Sequence, residues 1–371
     1  MYKKGDCTLS FLKSGCCTLL LVSLCSFNVL AESSASIDSE GSTQNFDEEV
    51  VEAPSYNDLL PIPGWNRYSG DTASSIGEWK RWWSYLLLEK SRSGETNTVI
   101  MKWMRDLYLR IYPGNEVFRS IFVKGIYDPN LVVVVDALLP TKGVLLDVGA
   151  NMGYCSLLMS KSVGDSGKVF AIEPSERDFL RLVDNVALNR LDNVYVYRFA
   201  ISDEPGDVEI SIATEERSFL NTLGFEFSNK GIEKLKTEKV EAITLDKFVE
   251  KEGIDKIDVI KMDIEGSELK ALTGARKSIE MYRPALVLGI NKNSLKANAA
   301  SVEEVEKLLK ELRYKMYYLI ETPVFALKEA ADVKDIKVNW IVCLHESFVP
   351  PILPQPKKEK LLDKICSFFT K

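Results

Sequence analysis

Three acidic residues follow one apolar run in the segment VIKMDIEGSE, residues 259–268. An apolar run of this length predicts a buried strand, so Asp263 and Glu265 come just beyond its carboxyl end. Burial and mutual repulsion of carboxylates raise a pKa, which makes one of these two acids a candidate general base. The third acid, Glu268, has a second explanation, because the N-terminus of a helix favours negative charge.

A second candidate is the turn in LLDVGANMGYCS, residues 145–156, where an apolar run ends at Asp147. Gly149 and Gly153 allow a tight turn and let a ligand approach the backbone. The helix that follows offers free N–H groups at its N-terminus. Glycines of this kind also occur in turns that bind nothing, so the turn alone leaves both cofactor binding and simple geometry open.

Glu173 favours the cofactor interpretation. It ends the apolar segment VFAIEP, 24 residues after Gly149, where an acid can accept both hydroxyls of a ribose. The turn lacks the third glycine that the pyrophosphate of a dinucleotide requires. S-adenosylmethionine therefore fits better than NAD, and an NAD-dependent oxidoreductase is disfavoured.

Short apolar runs alternate with amphipathic segments after about residue 131, and this alternation positions the candidate residues. It predicts an α/β fold whose mostly parallel central sheet is covered by helices on both faces. The predicted strands are Val144–Asp147, Lys168–Glu173, Asn193–Ala200, Ile257–Met262 and Ala285–Ile290, with an antiparallel addition at Asp207–Ala213. Ligands of such sheets bind beyond the carboxyl ends of the strands, where these acids and glycines lie.

The two ends of the chain are predicted to be appendages. Lysines precede an apolar run from Cys16 to Ala31, so residues 1–31 are typical of a signal peptide or a membrane anchor. Both interpretations predict an exported or membrane-anchored protein, extracytoplasmic or lumenal, with membrane association through this segment; a cytoplasmic protein is the third interpretation. Residues 32–66 are acidic and lack apolar periodicity, which predicts a disordered linker. Residues 349–371 form a Pro-rich and then basic C-terminal tail.

Residues 67–119 are predicted to form an N-terminal helical cap on the main domain, residues 120–348. Apolar residues recur at helical spacing over Ile76–Leu87 and again over Ile100–Ile111, until Pro113 and Gly114 end the pattern. Five of the six tryptophans lie in or just before this region. Packing on the main domain is favoured, and a membrane- or partner-facing surface is the alternative.

The composition excludes two kinds of binding. The formal net charge of -7 is unfavourable for a general nucleic-acid binder, which needs a clustered basic face. The chain has a single histidine, His345, and no CxxC pair, so we expect no structural metal site.

Several separated motifs resemble the FkbM-type methyltransferases over about residues 120–345. They are GIYDP, LLDVGANMGYCSLLM, IEPSERDFLRLVDNVALN, FAISD and IDVIKMDIEGSELKALTGA followed by RPAL, in this order along the chain. The resemblance implies a class I methyltransferase (Rossmann-like) fold that binds S-adenosylmethionine. It also implies O-methylation of a hydroxyl on a sugar, glycan or related small molecule.

The resemblance assigns roles to individual residues. It implies cofactor binding by Asp147, Gly149, Asn151 and Gly153 at the methionine half, Glu173 at the ribose, and Ser202 and Asp203 near the adenine. It implies that Asp263 and Glu265 line the site of methyl transfer and act as the catalytic residues.

The sequence departs from the family pattern after the RPAL strand. Gly289 and Asn291 stand where the family commonly has glutamate and histidine. Asp263 or Glu265 could then serve as the base, and His345 is expected to be structural.

Two alternatives follow from this departure. Asp263 and Asn291 could together hold a divalent cation through oxygen ligands. The domain could also be a catalytically silent module that keeps the fold and still binds a cofactor or ligand.

Overall fold

The structure is a computed structural model, and it describes residues 30–37, 43–52, 98–112, 114–214, 221–223, 234–320, 326–330 and 340–348. The strands within these residues are β1 (Leu30–Ile37), β2 (Thr43–Glu52), β3 (Val99–Lys102), β4 (Tyr108–Ile111), β5 (Val144–Val148), β6 (Lys168–Ile172), β7 (Val194–Tyr197), β8 (Ala200–Ile201), β9 (Gly206–Ala213), β10 (Thr222–Leu223), β11 (Lys234–Ile243), β12 (Val259–Met262), β13 (Ala285–Gly289), β14 (Tyr314–Ile320), β15 (Ala326–Glu329) and β16 (Trp340–His345).

The helices are α1 (Glu116–Lys124), α2 (Pro129–Leu138), α3 (Tyr154–Val163), α4 (Glu176–Leu188), α5 (Leu245–Lys251), α6 (Glu268–Thr273), α7 (Arg276–Tyr282), α8 (Lys292–Ala297) and α9 (Val302–Glu311). Within the described part of the chain, no helix is both long and apolar enough to cross a membrane.

The central sheet has eight strands in the order β15-β14-β16-β13-β12-β5-β6-β7. The five strands from β13 to β7 are parallel, whereas β16 pairs antiparallel with both β13 and β14. This confirms the predicted α/β class with a mostly parallel sheet. The order reverses at β5, because β6 lies on one side of it and β12 on the other. A ligand crevice is expected at such a reversal, beyond the carboxyl ends of the strands.

Both faces of the sheet are covered, as predicted. Every residue of β5 is buried, and successive side chains point into two different cores. Leu145 belongs to the core that α1, α2, α3 and part of α4 close. Leu146 belongs to the core closed by α5, α7 and α9. A strand buried on both sides needs a continuous apolar run, which explains why this strand was predicted from the sequence, at Val144–Asp147.

A smaller sheet flanks the main one, in the order β10-β9-β11-β8. β9 and β11 pair antiparallel, which confirms the predicted addition at Asp207–Ala213. The predicted strand Asn193–Ala200 is divided: β7 belongs to the central sheet, and Ala200 and Ile201 pair with β11 instead. The chain therefore crosses from the main sheet to the flanking sheet beside the edge where ligands are expected.

The second predicted helix of the N-terminal cap is wrong. Residues 99–111 form β3 and β4, which pair antiparallel around a turn that begins at Trp103. Arg105 has a φ of 58°, a left-handed value that a right-handed helix does not contain. Burial in β4 alternates, with Leu109 and Ile111 buried, which is the period of two that a strand has. The apolar residues between Ile100 and Ile111 also fit a helical spacing, so the sequence pattern predicted a helix instead. The first predicted helix, Ile76–Leu87, lies outside the described residues.

Part of the predicted linker also forms strands. β1 and β2 pair antiparallel, and β2 pairs with β3. The prediction of disorder over residues 32–66 is thus wrong for 32–37 and 43–52. Amino-acid composition indicates how much apolar surface a segment can bury. Strand pairing instead uses backbone N–H and C=O groups, which nearly every residue carries, so the composition did not predict these strands. The predicted signal or anchor segment, apart from its last two residues, and the C-terminal tail lie outside the described residues.

Candidate active site

A cleft of about 260 Å³ lies at the carboxyl edge of the central sheet. Loops that follow β5, β6, β12 and β13 form its walls. Five of the predicted site residues line it: Gly149, Asn151, Glu173, Asp263 and Glu265. The parallel strands thus bring together residues more than 110 positions apart in the sequence.

The turn after β5 is held by backbone contacts that only glycine permits. Gly149 has a φ of 76°, and its N–H donates a hydrogen bond of 3.0 Å to the carbonyl oxygen of Ile172. A Cβ at this position would lie 2.0 Å from the carbonyl oxygen of Asp263. Gly149 therefore allows the first and third loops of the cleft to touch.

Asn151 and Glu173 form the polar side of the cleft. The backbone N–H of Asn151 donates to Glu173 Oε2 at 2.9 Å, and the N–H of Ser175 donates to Oε1 at 3.0 Å. Burial raises the pKa of Glu173 to about 8, with a further contribution from the carboxylate of Asp178, although the two N–H groups oppose the shift. The side-chain oxygen of Asn151 is buried and has no hydrogen-bond partner.

Asp147 lies beneath the turn and not in the cleft. Its Oδ2 accepts a hydrogen bond of 2.5 Å from Ser156, and its Oδ1 lies 3.0 Å from Lys261 Nζ, an ion pair without hydrogen-bond geometry. Burial alone would lower the pKa of Lys261, but Asp147 and then Asp263 raise it to about 12. Lys261 Nζ also donates to the carbonyl oxygen of Gly149 at 2.6 Å. Asp147 thus supports the turn through Lys261 and is not placed to contact a ligand.

Gly153 likewise has a packing role. It precedes α3 with a φ of 89°, and a Cβ there would lie 2.5 Å from a methyl carbon of Leu182 in α4. It does not line the cleft. The glycine instead lets α4 approach the start of α3 closely.

Ser202 and Asp203 also lie outside the cleft lining. The hydroxyl of Ser202 donates to Asp203 at 2.9 Å, and Asp203 itself is exposed. The structure brings Ala200 and Ile201 to the cleft wall instead. The difference arises because this segment has left the central sheet to pair with β11, so it meets the cleft two residues earlier.

Asp263 stands at the centre of the cleft. Its N–H donates to the carbonyl oxygen of Val148 at 3.1 Å, which places the side chain directly beyond β12. Burial raises the pKa of Asp263, and the carboxylate of Asp128 adds to the increase, while Lys261 opposes it. A Cβ at Gly289 would lie 2.4 Å from Asp263 Oδ1, so the neighbouring strand leaves room for this carboxylate.

The loop that carries Glu265 is pinned on both sides. Glu265 has a φ of 48°, and its Oε2 accepts a hydrogen bond of 3.1 Å from Ser294. Glu268 accepts from the backbone N–H groups of Ile264 and Gly266 at 3.1 and 3.0 Å. Burial raises the pKa of Glu268 to about 8. Glu268 thus fixes the loop and is not a residue of the cleft.

Comparison with known proteins decides the family. Residues 147–316 match the family model described as the methyltransferase FkbM domain. This segment is an FkbM methyltransferase domain. The match lies inside the predicted domain of residues 120–348 and contains the cleft residues from Val148 to Asn291.

Two curated relatives of the FkbM domain are also methyltransferases. Hexuronic acid methyltransferase AglP of Haloferax volcanii is 29% identical over 175 residues, which cover 46% of this chain and 65% of that protein. Methyltransferase sdnD of Sordaria araneosa is 26% identical over 182 residues, which cover 43% of this chain and 67% of that protein. The crystal structure of methyltransferase FkbM from Methylobacillus flagellatus KT has 18% identity and a TM-score of 0.35, and the match covers 62% of this chain and 53% of that chain. The chain thus spans about two thirds of each of these two curated relatives, so they identify a methyltransferase domain.

The structure gives a local role to Asn291, one of the two positions at which the FkbM domain departs from the family pattern. Asn291 begins α8, and its side-chain oxygen accepts hydrogen bonds from the N–H groups of Asn293 and Ser294. That oxygen therefore already serves as the helix cap, which weakens the idea of a cation shared with Asp263. Among the described residues, no group of three or more His, Cys, Asp or Glu side chains could hold a metal ion.

His345 lies at the opposite edge of the sheet from the cleft. Trp340 pairs with Gly289 at the carboxyl end of β13, and β16 then runs antiparallel away from that end. The Nδ1 atom of His345 accepts from the N–H of Ser347 at 3.2 Å. Burial lowers the pKa of the His345 imidazole, and nearby Arg283 adds to the shift. His345 is structural, as expected.

The cleft residues that were not recognised in the sequence include Tyr127, Asp128, Lys261 and Trp340. Tyr127 and Asp128 belong to the GIYDP motif, to which the sequence assigned no role in the site. The indole N–H of Trp340 donates to Asp128 Oδ2 at 2.5 Å across 212 positions of sequence. The sequence contained no signal for this contact, because it depends on the antiparallel insertion of β16 next to β13.

Proposed function

We propose that the FkbM domain is an S-adenosylmethionine-dependent O-methyltransferase that acts on a hydroxyl of a sugar, glycan or related small molecule. The observation that carries this proposal is the buried side-chain oxygen of Asn151, which has no partner, on a cleft residue whose backbone N–H binds the carboxyl group of Glu173. A buried acceptor without a partner costs about 1–3 kcal/mol, so a ligand that donates to it is favoured.

The polar groups of the cleft match the chemistry of S-adenosylmethionine. Its ammonium group and its ribose hydroxyls are donors, and Asn151 and Glu173 supply acceptor oxygens. Its sulfonium is positively charged, and Asp263 and Glu265 lie in the same cleft. The tight turn at Gly149 brings the backbone close to this space. The residues present therefore fit the cofactor.

Asp263 is the residue that we assign as the general base. When bound, S-adenosylmethionine supplies a methyl group on a positively charged sulfur, and this sulfur keeps the electron pair of the broken bond. The chain has to orient the acceptor hydroxyl and remove its proton. Burial raises the pKa of Asp263 towards the range in which a carboxylate takes up a proton effectively. Glu265 is held by Ser294 and positions the loop beside it.

The glycine at position 289 supports catalysis and not loss of activity. A side chain at this position would collide with the carboxylate of Asp263 in the geometry of the structure. The glycine that stands in place of the family's glutamate therefore leaves room for the carboxylate of Asp263. This observation favours an active enzyme over the silent module.

Titration of the purified protein with S-adenosylmethionine and S-adenosylhomocysteine tests the cofactor. We expect binding by isothermal titration calorimetry, weakened about tenfold in Asn151→Gly, which removes the acceptor oxygen. Asn151→Asp keeps an acceptor at the same place, so it is the matched control. Glycine and asparagine both adopt the left-handed backbone of this residue, whose φ is 52°. If the wild-type protein binds neither S-adenosylmethionine nor S-adenosylhomocysteine, the proposal is wrong.

Transfer is tested with methyl-labelled S-adenosylmethionine and a mixture of glycans and lipids from cells that lack the protein. Mass spectrometry should detect a labelled O-methyl product. We expect Asp263→Asn to lower kcat about 100-fold or more while the affinity for S-adenosylhomocysteine is kept. Asp203→Asn, an exposed acid outside the cleft, is the control. Cofactor binding without transfer to any acceptor would identify the silent module instead.

A further inference from the structure

The end of the cleft at β13 and β16 lies far from the predicted cofactor residues. β16 is four positions from β6 in the sheet, so Trp340 and Glu173 stand roughly 19 Å apart at a strand spacing of about 4.8 Å. Asn151 and Glu173 occupy the other end, beyond β5 and β6. If they hold the cofactor, the acceptor has to enter between Asp263 and Trp340.

Gly289 leaves room for Asp263 at this end of the cleft. It pairs directly with Trp340 on one side, and a Cβ on it would reach Asp263 on the other. The Asp263 carboxylate therefore lies next to the end of the cleft that β13 and β16 form. A ring bound there would have the Asp263 carboxylate at one end, where methyl transfer is assigned.

Aromatic side chains contribute to the walls of this space. Tyr127 and Trp340 both line the cleft and are half-buried. Their positions are constrained, because Trp340 donates its indole N–H to Asp128 and the ring of Tyr127 packs edge-on against Tyr154, with centroids 5.6 Å apart. Fixed aromatic surface beside hydrogen-bond acceptors suits a ligand with apolar C–H faces and a rim of hydroxyl donors.

Carboxylates set the charge of the same space. Asp128, Asp263 and Glu265 all line the cleft. Burial first, and then the charges of Asp263 and Asp128, raise the pKa of the Tyr127 phenol to about 12, so the potential at this ring is negative. The cation nearest to Asp263, Lys261, is buried and paired with Asp147. Hydroxyl groups donate well to such carboxylates, whereas an anionic acceptor is repelled.

We propose that the acceptor pocket, formed by Tyr127, Asp128, Asp263, Gly289 and Trp340, takes an uncharged sugar ring and discriminates against hexuronates. This inference rests on the proposed function and adds the place and the charge class of the acceptor. It separates this chain from its relative AglP, which is named as a hexuronic acid methyltransferase.

The test compares matched acceptors on the full chain in the presence of S-adenosylhomocysteine. The probes are the methyl glycosides of glucose, galactose and mannose, and the corresponding methyl glycosides of glucuronate, galacturonate and mannuronate. Binding is measured by saturation-transfer NMR, and transfer is measured with labelled S-adenosylmethionine. We expect at least one neutral glycoside to bind and to be methylated, with its uronate partner weaker by about tenfold or more.

Substitutions at two positions assign the effect to the pocket. Trp340→Ala should weaken the neutral glycoside about tenfold and leave the affinity for S-adenosylhomocysteine unchanged, and Trp340→Phe should retain most of the binding. Asp128→Asn can still cap α2. It should reduce the ratio of the affinity for the neutral sugar to the affinity for the uronate about tenfold. Asp165→Asn removes an exposed acid outside the cleft and should leave the preference unchanged.

The outcomes separate the two proposals. Failure of the wild-type protein to bind S-adenosylhomocysteine contradicts the proposed function itself. With that binding intact, equal or preferred use of uronates overturns the charge assignment. With that binding intact, binding of neither series overturns the sugar assignment. A neutral preference that is insensitive to both the Trp340 and the Asp128 substitutions overturns the location.

Discussion

Glu173 links cofactor binding to pH, and this prediction follows directly from its surroundings. Burial raises the pKa of its carboxyl group to about 8 in the free protein. At pH 7 the group is therefore mostly protonated. Ribose hydroxyls donate most strongly to the ionised carboxylate, so cofactor binding should draw a proton off Glu173. Affinity should accordingly increase as the pH rises through about 8.

The size of the effect follows from the fraction of ionised Glu173. With a pKa near 8, this fraction is about one tenth at pH 7 and about nine tenths at pH 9. The affinity for S-adenosylhomocysteine should rise about tenfold over this interval, which corresponds to about 1.4 kcal/mol. Below pH 7 the affinity should keep falling by up to tenfold per unit, until the pKa of Glu173 in the complex is reached.

Isothermal titration calorimetry at pH 7, 8 and 9 measures the effect in the wild type, in Glu173→Gln and in Asp203→Asn. Glu173→Gln removes the titrating group, so its weaker affinity should lack the rise. Any titration of the ligand itself is common to all three proteins and cancels in their ratios. Asp203→Asn removes an exposed acid outside the cleft and should follow the wild type. Calorimetry at pH 7 in two buffers of different ionisation enthalpy measures the protons released on binding. The wild type should release protons, whereas Glu173→Gln should not.

Two results would refute the reasoning. A wild-type affinity that runs parallel to that of Glu173→Gln from pH 7 to 9 would show that Glu173 does not titrate on binding. Loss of the rise in Asp203→Asn would move the effect to the residue that the sequence resemblance had placed near the adenine. Thermal melting of each variant is needed beside the titrations, because glutamine cannot accept both backbone N–H bonds of the turn.

Three further predictions concern the turn, the buried ion pair and the histidine. Gly149→Ala places a Cβ 2.0 Å from a carbonyl oxygen, so it should reduce the free energy of unfolding by about 3 kcal/mol, whereas Gly253→Ala, also at positive φ but with nothing within 4 Å, should cost about 1 kcal/mol. Equal losses in urea unfolding would contradict the steric argument. Lys261→Met leaves Asp147 charged and unpaired, which should cost about 3–5 kcal/mol, and the added change Asp147→Leu should restore most of the loss in the same assay. His345→Gln should keep the rate of methyl transfer within about twofold, because His345 lies at the opposite edge of the sheet from the cleft. A large loss of kcat at unchanged cofactor affinity would instead indicate that His345 acts as the base.

The sequence by itself determined the α/β class and most of the carboxyl edge. Strands buried on both faces require continuous apolar runs, so Val144–Val148 and Val259–Met262 could be recognised without any structure. In a parallel sheet the residue after each strand reaches the same edge. This topological rule is enough to bring Gly149, Glu173 and Asp263 together.

The N-terminal strands were not predictable in the same way. Residues 99–111 carry apolar side chains whose spacing fits a helix and a pair of strands equally well. Short apolar runs are ambiguous because the local pattern does not report the backbone partner. The pairing of β3 with β4, and of β2 with β3, decided the structure there.

Only the tertiary structure decided which polar residues face the cleft and which support it from behind. Asp147 and Gly149 are two positions apart, yet the first is buried against Lys261 and the second lines the cleft. The acceptor end of the cleft depends on the antiparallel strand β16, which carries Trp340. This strand places Trp340 next to Gly289, 51 positions earlier in the chain, and within hydrogen-bond distance of Asp128, 212 positions earlier. Such contacts are non-local, and their geometry depends on how strands insert and helices pack. A pattern read along the chain contains no distance across the sheet, so these residues became visible only in the folded protein.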